Sequence, residues 1–184
     1  MIRSTYLKSG MTQKYYSLAN NFRSRYEDLL LQLSPVQFSK FRYKQLFNRK
    51  LNLSQPNTYS EKLIWLNLYW KHPLKAECGD KYTMRAYVQS HGYNHILPGL
   101  LGVYNKSSEI DFDALPQKFV LKCTHGCGFN IICTDKNQLD INQARQLLDT
   151  WLKTDYSKNA GELHYAAMTP RIICEEFLEG LSGK

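Results

Sequence analysis

Gln117-Lys-Phe-Val-Leu-Lys-Cys-Thr-His-Gly-Cys-Gly-Phe-Asn-Ile-Ile-Cys133 reads as a strand, a glycine-punctuated loop and a returning strand. Phe119, Val120 and Leu121 are β-formers ahead of Lys122, and Asn130 to Cys133 resumes an apolar run, so His125 to Gly128 forms the connection. Glycines in such a loop let backbone N–H groups approach an anion closely, and a strand-borne ammonium adds fixed charge. The segment therefore has the layout of a phosphate cradle. An ordinary hairpin whose glycines serve only turn geometry is the alternative for the same residues.

Working outward, 184 residues with 43% apolar and 13% aromatic content make a globular chain with one sizeable core. The net charge of +8 is unevenly placed. Residues 1–50 hold ten Lys and Arg against Glu27 and Asp28, which accounts for all of it and leaves the remaining 134 residues neutral. A basic arm on a neutral body is not the pattern of a nucleic-acid binder, and no base-reading module is recognisable. Without an apolar run long enough to cross a bilayer or the apolar centre of a signal peptide, the expected location is the cytoplasm. In that compartment the five cysteines are expected to be reduced thiols.

Apolar spacing predicts a helix over 12–33 with basic residues on its wet face, a break at Ser34-Pro35, and a second helix over Val36 to Arg49. A turn-rich connector follows at residues 51–57, and Thr58 with Glu61 three residues later has capping-box spacing for a helix through Tyr69, closed by His72-Pro73. Asp80 is an N-cap for a helix over Lys81 to Gln89 that Gly92 stops. Ile96 to Val103 is strand-like, Asp111 to Pro116 a turn, Asp140 the cap of an amphipathic helix, and Arg171 to Leu178 a last strand. The body is thus α+β, with an antiparallel hairpin at its centre.

Neither GxxxxGK[ST] nor a completed GxGxxG is present. Cys123, His125, Cys127 and Cys133 offer four zinc-type side chains within eleven positions, but strand alternation and the C-x-H-x-C spacing do not wrap a tetrahedral ion. Cys127 with His125 as its base is a second reading, disfavoured because i and i+2 neighbours in a tight loop rarely face each other. Asp111-Phe-Asp113 has the Asp-x-Asp spacing of nucleotide-sugar transferases, yet precedes a turn rather than ending a strand.

A lysine strand, a glycine hairpin and, some forty residues on, a strand of paired acids follow in the order of the ATP-grasp fold. Gln55 to Tyr69 (QPNTYSEKLIWLNLY), Asp80 to Val88 (DKYTMRAYV), Leu97 to Tyr104 (LPGLLGVY), Glu109 to Cys133 and Pro170 to Leu178 (PRIICEEFL) resemble the TupA-like ATP-grasp family of bacterial cell-surface polysaccharide loci. The resemblance covers residues 51–180 nearly throughout. It implies the N-terminal portion of an ATP-grasp domain over 51–184, with the central antiparallel hairpin inside it, and the charge census with the helical spacing adds a helical basic arm over 1–50.

Carried over by position, the resemblance implies that Lys122 contacts the ATP phosphates and that His125, Gly126, Cys127 and Gly128 close over them. Arg85 stands where many ATP-grasp enzymes have a second phosphate-binding lysine. Glu175 and Glu176 match the hinge that reads the adenine edge, with Leu178 offering its N–H. The implied activity is ATP-dependent activation of a carboxylate as an acyl phosphate followed by attack of an amine, on a polysaccharide precursor. Alternatives are a glycosyltransferase of the same pathway and a non-catalytic nucleotide-binding module. Magnesium is expected for the family, but its ligands belong to a C-terminal half beyond the hinge that this sequence, ending at Lys184, is expected to lack. For the arm two readings stand: a helical cap with solvated lysines, or peripheral contact with anionic lipid at the inner face of the cell membrane, where the expected substrates are carried.

Overall fold

A computed structural model describes residues 25–157 and 162–179, and the chain forms two compact units, Met1–Tyr69 and Trp70–Lys184. In the first unit residues 25–33 are helical (α1). The expected helix over 12–33 falls partly on residues 12–24, outside the described residues. Ser34 then does two jobs. Its extended backbone ends α1, and its Oγ accepts from the Gln37 N–H (3.3 Å) to cap α2, Pro35–Phe47, with Pro35 at a position whose N–H would have no helical partner. Asn48 turns left-handed (φ 52°) and donates to the Lys44 carbonyl, so α2 stops short of Arg49.

The capping box at α3, Tyr59–Tyr69, is reciprocal. Glu61 N donates to Thr58 Oγ1 (3.2 Å), while the Glu61 carboxylate accepts from the backbone N–H groups of Thr58 (2.9 Å) and Asn57 (3.0 Å). The same carboxylate accepts from Asn52 N and so gathers the whole 52–58 connector.

The second unit opens with α4, Leu74–Gly79, which is too short to show an apolar period in the sequence. Asp80 Oδ1 accepts from Tyr82 N (2.8 Å) and Thr83 N (3.0 Å) and launches α5, Thr83–Ser90. The helix therefore starts two residues later than the sequence suggests. Gly92, at φ +83°, follows it as expected. The strand anticipated over Ile96 to Val103 is β1, Leu100–Tyr104, with Asn94–Ile96 in a 3₁₀ turn before it. Pro98 cannot donate to a ladder, so pairing begins after it.

β2, Phe119–Cys123, and β3, Asn130–Cys133, form the anticipated hairpin. β4, Ile172–Glu176, inserts between β1 and β2, giving a four-stranded antiparallel sheet in the order β1-β4-β2-β3. In this register Lys122 pairs with Ile173 and Val120 with Glu175. Alternation then divides the sheet. Phe119, Leu121, Cys123, Ile172 and Cys174 face one side, where they form one core with Ala144 and Leu148 of α6, Ile141–Leu152. Val120, Lys122, Ile173 and Glu175 face the other. Asp140 caps α6 as anticipated, accepting from Gln143 N at 2.9 Å.

Leu148 is fully buried on α6 against β2 and β4. Leu148→Ala is expected to lower the unfolding free energy by about 2–5 kcal/mol, the usual cost of an unrelaxed core cavity, measured by denaturant titration of the full chain.

Candidate functional site

The loop between β2 and β3 spans residues 124–129 and is closed by the Cys123 N–H on the Phe129 carbonyl (2.9 Å). Gly128 has φ +77°, a conformation that side-chain-bearing residues rarely adopt. Gly126 is required by space instead, since an added Cβ would lie 2.6 Å from the Phe129 ring. That ring stacks on Trp151 (5.5 Å, 10°) and meets the edge of Tyr156, which pins the C-terminal side of the loop.

Lys81 pins the other side, and sequence reasoning passed over it. Its backbone N–H donates to the Thr124 carbonyl (3.2 Å), and its ammonium donates to the carbonyls of Cys123 (3.1 Å) and Gly126. Burial pulls its pKa below the ordinary lysine value. The one signal in the sequence was its place beside the Asp80 cap, which fixes where a helix starts and what precedes it.

A pocket of about 390 Å³ opens beside this loop, lined by Lys81, Lys122, Gly126, Cys127, Gly128 and Asn130 among others. Two ammonium groups and a glycine turn thus surround one cleft. Such a surface accepts an anion through fixed charge and close backbone approach. Of the residues expected there, Lys122, Gly126, Cys127 and Gly128 line the pocket.

The other five are placed differently. Arg85 is 8% exposed and does not line the pocket; its guanidinium donates to Glu175 Oε1 (2.9 Å) and to the Pro98 carbonyl (2.6 Å), so its charge is already matched within the protein. His125 is likewise absent from this pocket, and its buried imidazole lies 3.0 Å from the Trp151 carbonyl. Glu175 and Glu176 do not act as a pair, because neighbours on a strand point to opposite faces. Glu175 is 5% exposed and bridges Arg85 and Lys122, with its Oε2 accepting from Lys122 Nζ at 2.6 Å. Glu176 is exposed, its N–H bonds the Gly99 carbonyl (2.9 Å), and its carboxylate occupies the space a side chain at residue 99 would need. Leu178 lies beyond β4 and is exposed.

The remaining motifs resolve into structure. Cys123 and Cys133 are buried in the core while Cys127 is exposed, and burial pushes the Cys123 thiol up to about 12, which keeps it protonated. Among the described residues no three His, Cys, Asp or Glu side chains come together to hold a metal ion. Asp111 Oδ1 accepts from Asp113 N (3.1 Å) and Ala114 N (3.4 Å), so Asp111-Phe-Asp113 is an Asx turn that buries Phe112.

A family model described as TupA-like ATPgrasp matches residues 61–183, two thirds of the chain and the whole of this site. No curated protein and no solved structure matches it.

The opposite facing of the two acids sets up a direct comparison. Glu175→Ala leaves Arg85 and Lys122 without their shared partner and is expected to cost about 3–5 kcal/mol of stability, as breaking a buried ion pair does. Glu176→Ala removes only a surface carboxylate and is expected to stay within about 0.5 kcal/mol of the parent. Parallel chemical denaturation of the two variants reads the difference, and equal losses would refute the assignment.

Proposed function

We propose, on the premise that this chain belongs to the TupA-like ATP-grasp family, that its hairpin pocket takes the phosphates of ATP in service of an ATP-dependent carboxylate–amine ligation that builds a bacterial surface polysaccharide. The observation that carries the reading is the convergence of Lys122 and Lys81 on one glycine loop at one cleft. ATP, when bound, supplies the phosphoryl group that activates a carboxylate; everything else is positioning by the protein.

Each residue has a definable share. Gly126 and Gly128 bring the backbone close to the phosphates. Lys81 keeps the loop in shape through two carbonyls and offers a third N–H direction to the pocket. Lys122 starts paired with Glu175, so an arriving phosphate must draw its ammonium away from that carboxylate or share it. Arg85 makes this sharing tolerable, since Glu175 keeps one cation when Lys122 turns outward. A magnesium ion, expected with ATP in this family, finds no ligand group of three or more among the described residues, and no step is assigned to it.

Changing Lys122 to Ala is expected to weaken ATP binding at least about tenfold, the loss of one charge-assisted hydrogen bond, and calorimetry on the full chain measures it. Unchanged affinity would remove the phosphate assignment.

A second reading, for the first unit, is contact with an anionic membrane surface. Residues 29–60 contain Lys40, Arg42, Lys44, Arg49 and Lys50 and no acid, and beside them Leu46 (69%) and Phe47 (47%) stand exposed at the end of α2. No helix among the described residues is long and apolar enough to cross a membrane, so the contact would be at the surface. Each basic residue near an anionic bilayer contributes about 1 kcal/mol. The full chain is expected to co-sediment with phosphatidylserine-containing vesicles at low salt and to release as salt rises. Phe47→Asp combined with Arg49→Glu should leave it in the supernatant throughout; retention of binding by that variant would refute the contact.

A further inference from the structure

A cavity of about 460 Å³ opens within the first unit, lined by Tyr43, Leu46 and Phe47 of α2, by Arg49 just beyond it, and by Thr58 and Ser60 at the start of α3. That volume lies in the range of small-molecule clefts. Its two walls differ in kind. Tyr43, Leu46 and Phe47 stand three and four positions apart on one side of α2, with the Tyr43 and Phe47 rings 4.7 Å apart, and they make a wall of carbon. Leu46 and Phe47 are exposed although apolar. Tyr43 is 4% exposed, yet its hydroxyl has no hydrogen-bond partner among the described residues and is not one of their sealed polar atoms, so a molecule in the cavity can reach it.

The polar wall is made of donors. The Arg49 guanidinium only donates and keeps its charge at any ordinary pH. Thr58 Oγ1 accepts from the Glu61 N–H (3.2 Å), which leaves its own proton to give, and the hydroxyls of Ser60 and Tyr43 add two more. Among the described residues no carboxylate lines the cavity. Glu61, the acid nearest in sequence, has its oxygens taken by the backbone N–H groups of Asn52, Asn57 and Thr58. One cation with three hydroxyls matches an oxyanion, and a phosphate, with several acceptor oxygens, engages the most of them. The carbon wall beside them calls for hydrocarbon.

We propose that this cavity binds one anionic phospholipid, with its phosphate on Arg49 and the hydroxyls of Tyr43, Thr58 and Ser60 and its first acyl carbons over Leu46 and Phe47. The inference deepens the membrane reading of the first unit and rests on it only for the lipid's source in a bilayer. General attraction of basic residues to a bilayer has no stoichiometry and is screened by salt, whereas this site holds one lipid per chain and depends on a hydroxyl that carries no charge. Tyr43 marks the difference.

The test is calorimetry on the full chain with dihexanoyl phosphatidic acid held below its micelle concentration, with glycerol phosphate and dihexanoyl phosphatidylcholine as controls. One lipid is expected to bind per chain. Tyr43→Phe, which removes only the hydroxyl, should weaken it about fivefold, and Arg49→Gln at least about tenfold, the difference between losing a neutral and a charge-assisted hydrogen bond. Lys122→Ala should leave it unchanged. Absence of saturable binding in the unsubstituted protein overturns the site, so misfolding of a variant does not rescue the idea. Glycerol phosphate binding as tightly overturns it in favour of a free anion, and phosphatidylcholine binding as tightly in favour of an apolar groove alone. Loss of binding in Lys122→Ala overturns it by placing the phosphate at the hairpin pocket, and unchanged binding in both Tyr43→Phe and Arg49→Gln overturns the assigned residues. If the chain sediments with phosphatidylserine vesicles while no soluble lipid binds, the general contact stands and the site fails. If the soluble lipid binds one to one while vesicles are ignored, the surface reading fails and the site survives.

Discussion

One carboxylate, Glu175, organises the face of the sheet opposite the core. Its two oxygens are shared between Arg85 on α5 and Lys122 on β2, at 2.9 and 2.6 Å, so it joins residues 90 and 53 positions away in the chain. Buried ion pairs of this kind add little net stability, because the cost of desolvating the charges offsets most of their attraction. What they do is exclude alternatives. A slip of β4 by one residue against β2 would turn Glu175 into the apolar core and leave both cations uncompensated, so the register that pairs Val120 with Glu175 is enforced by charge as well as by the apolar pattern.

The same arrangement leaves one of its cations at the cleft. Lys122 is less buried than the acid it pairs with, its side chain 30% exposed against 7% for Glu175, so it is the partner free to turn toward a ligand. Arg85 is held by Glu175 and the Pro98 carbonyl together and stays behind. The cation that the family resemblance marked for the phosphates, Arg85, is thereby a support for the acid, and Lys81, its ammonium anchored on the loop backbone, lines the pocket instead. An arginine suits the buried role because its planar fork reaches a carboxylate and a carbonyl at once and never loses its proton.

The β2–β3 loop is held by groups of different kinds on its two sides: carbonyl hydrogen bonds to Lys81 on one, and the ring stack of Phe129 on Trp151 of α6 on the other. His125 lies within that second set, its ring 5.9 Å from Phe129.

Much of this was legible in the chain itself. Thr58 with Glu61 and Asp140 announce helix starts because a cap acts on backbone groups two or three residues away, and Ser34-Pro35 announces the break between two helices. Lys122 and Cys123 had to face opposite ways because strand side chains alternate, and the glycines of 126 and 128 marked a tight turn because only glycine tolerates such crowding and positive φ. The insertion of β4 between β1 and β2, the parting of Glu175 from Glu176 between a buried ion network and the surface, and the placement of Arg85 and His125 away from the pocket beside the loop were not legible. Each depends on a partner tens of residues distant, as Lys81 on Cys123 and Gly126 or Arg85 on Glu175. Local periodicity reports which face a side chain takes on its own element, but which charge meets it there is decided only when the sheet closes and water is removed from between them.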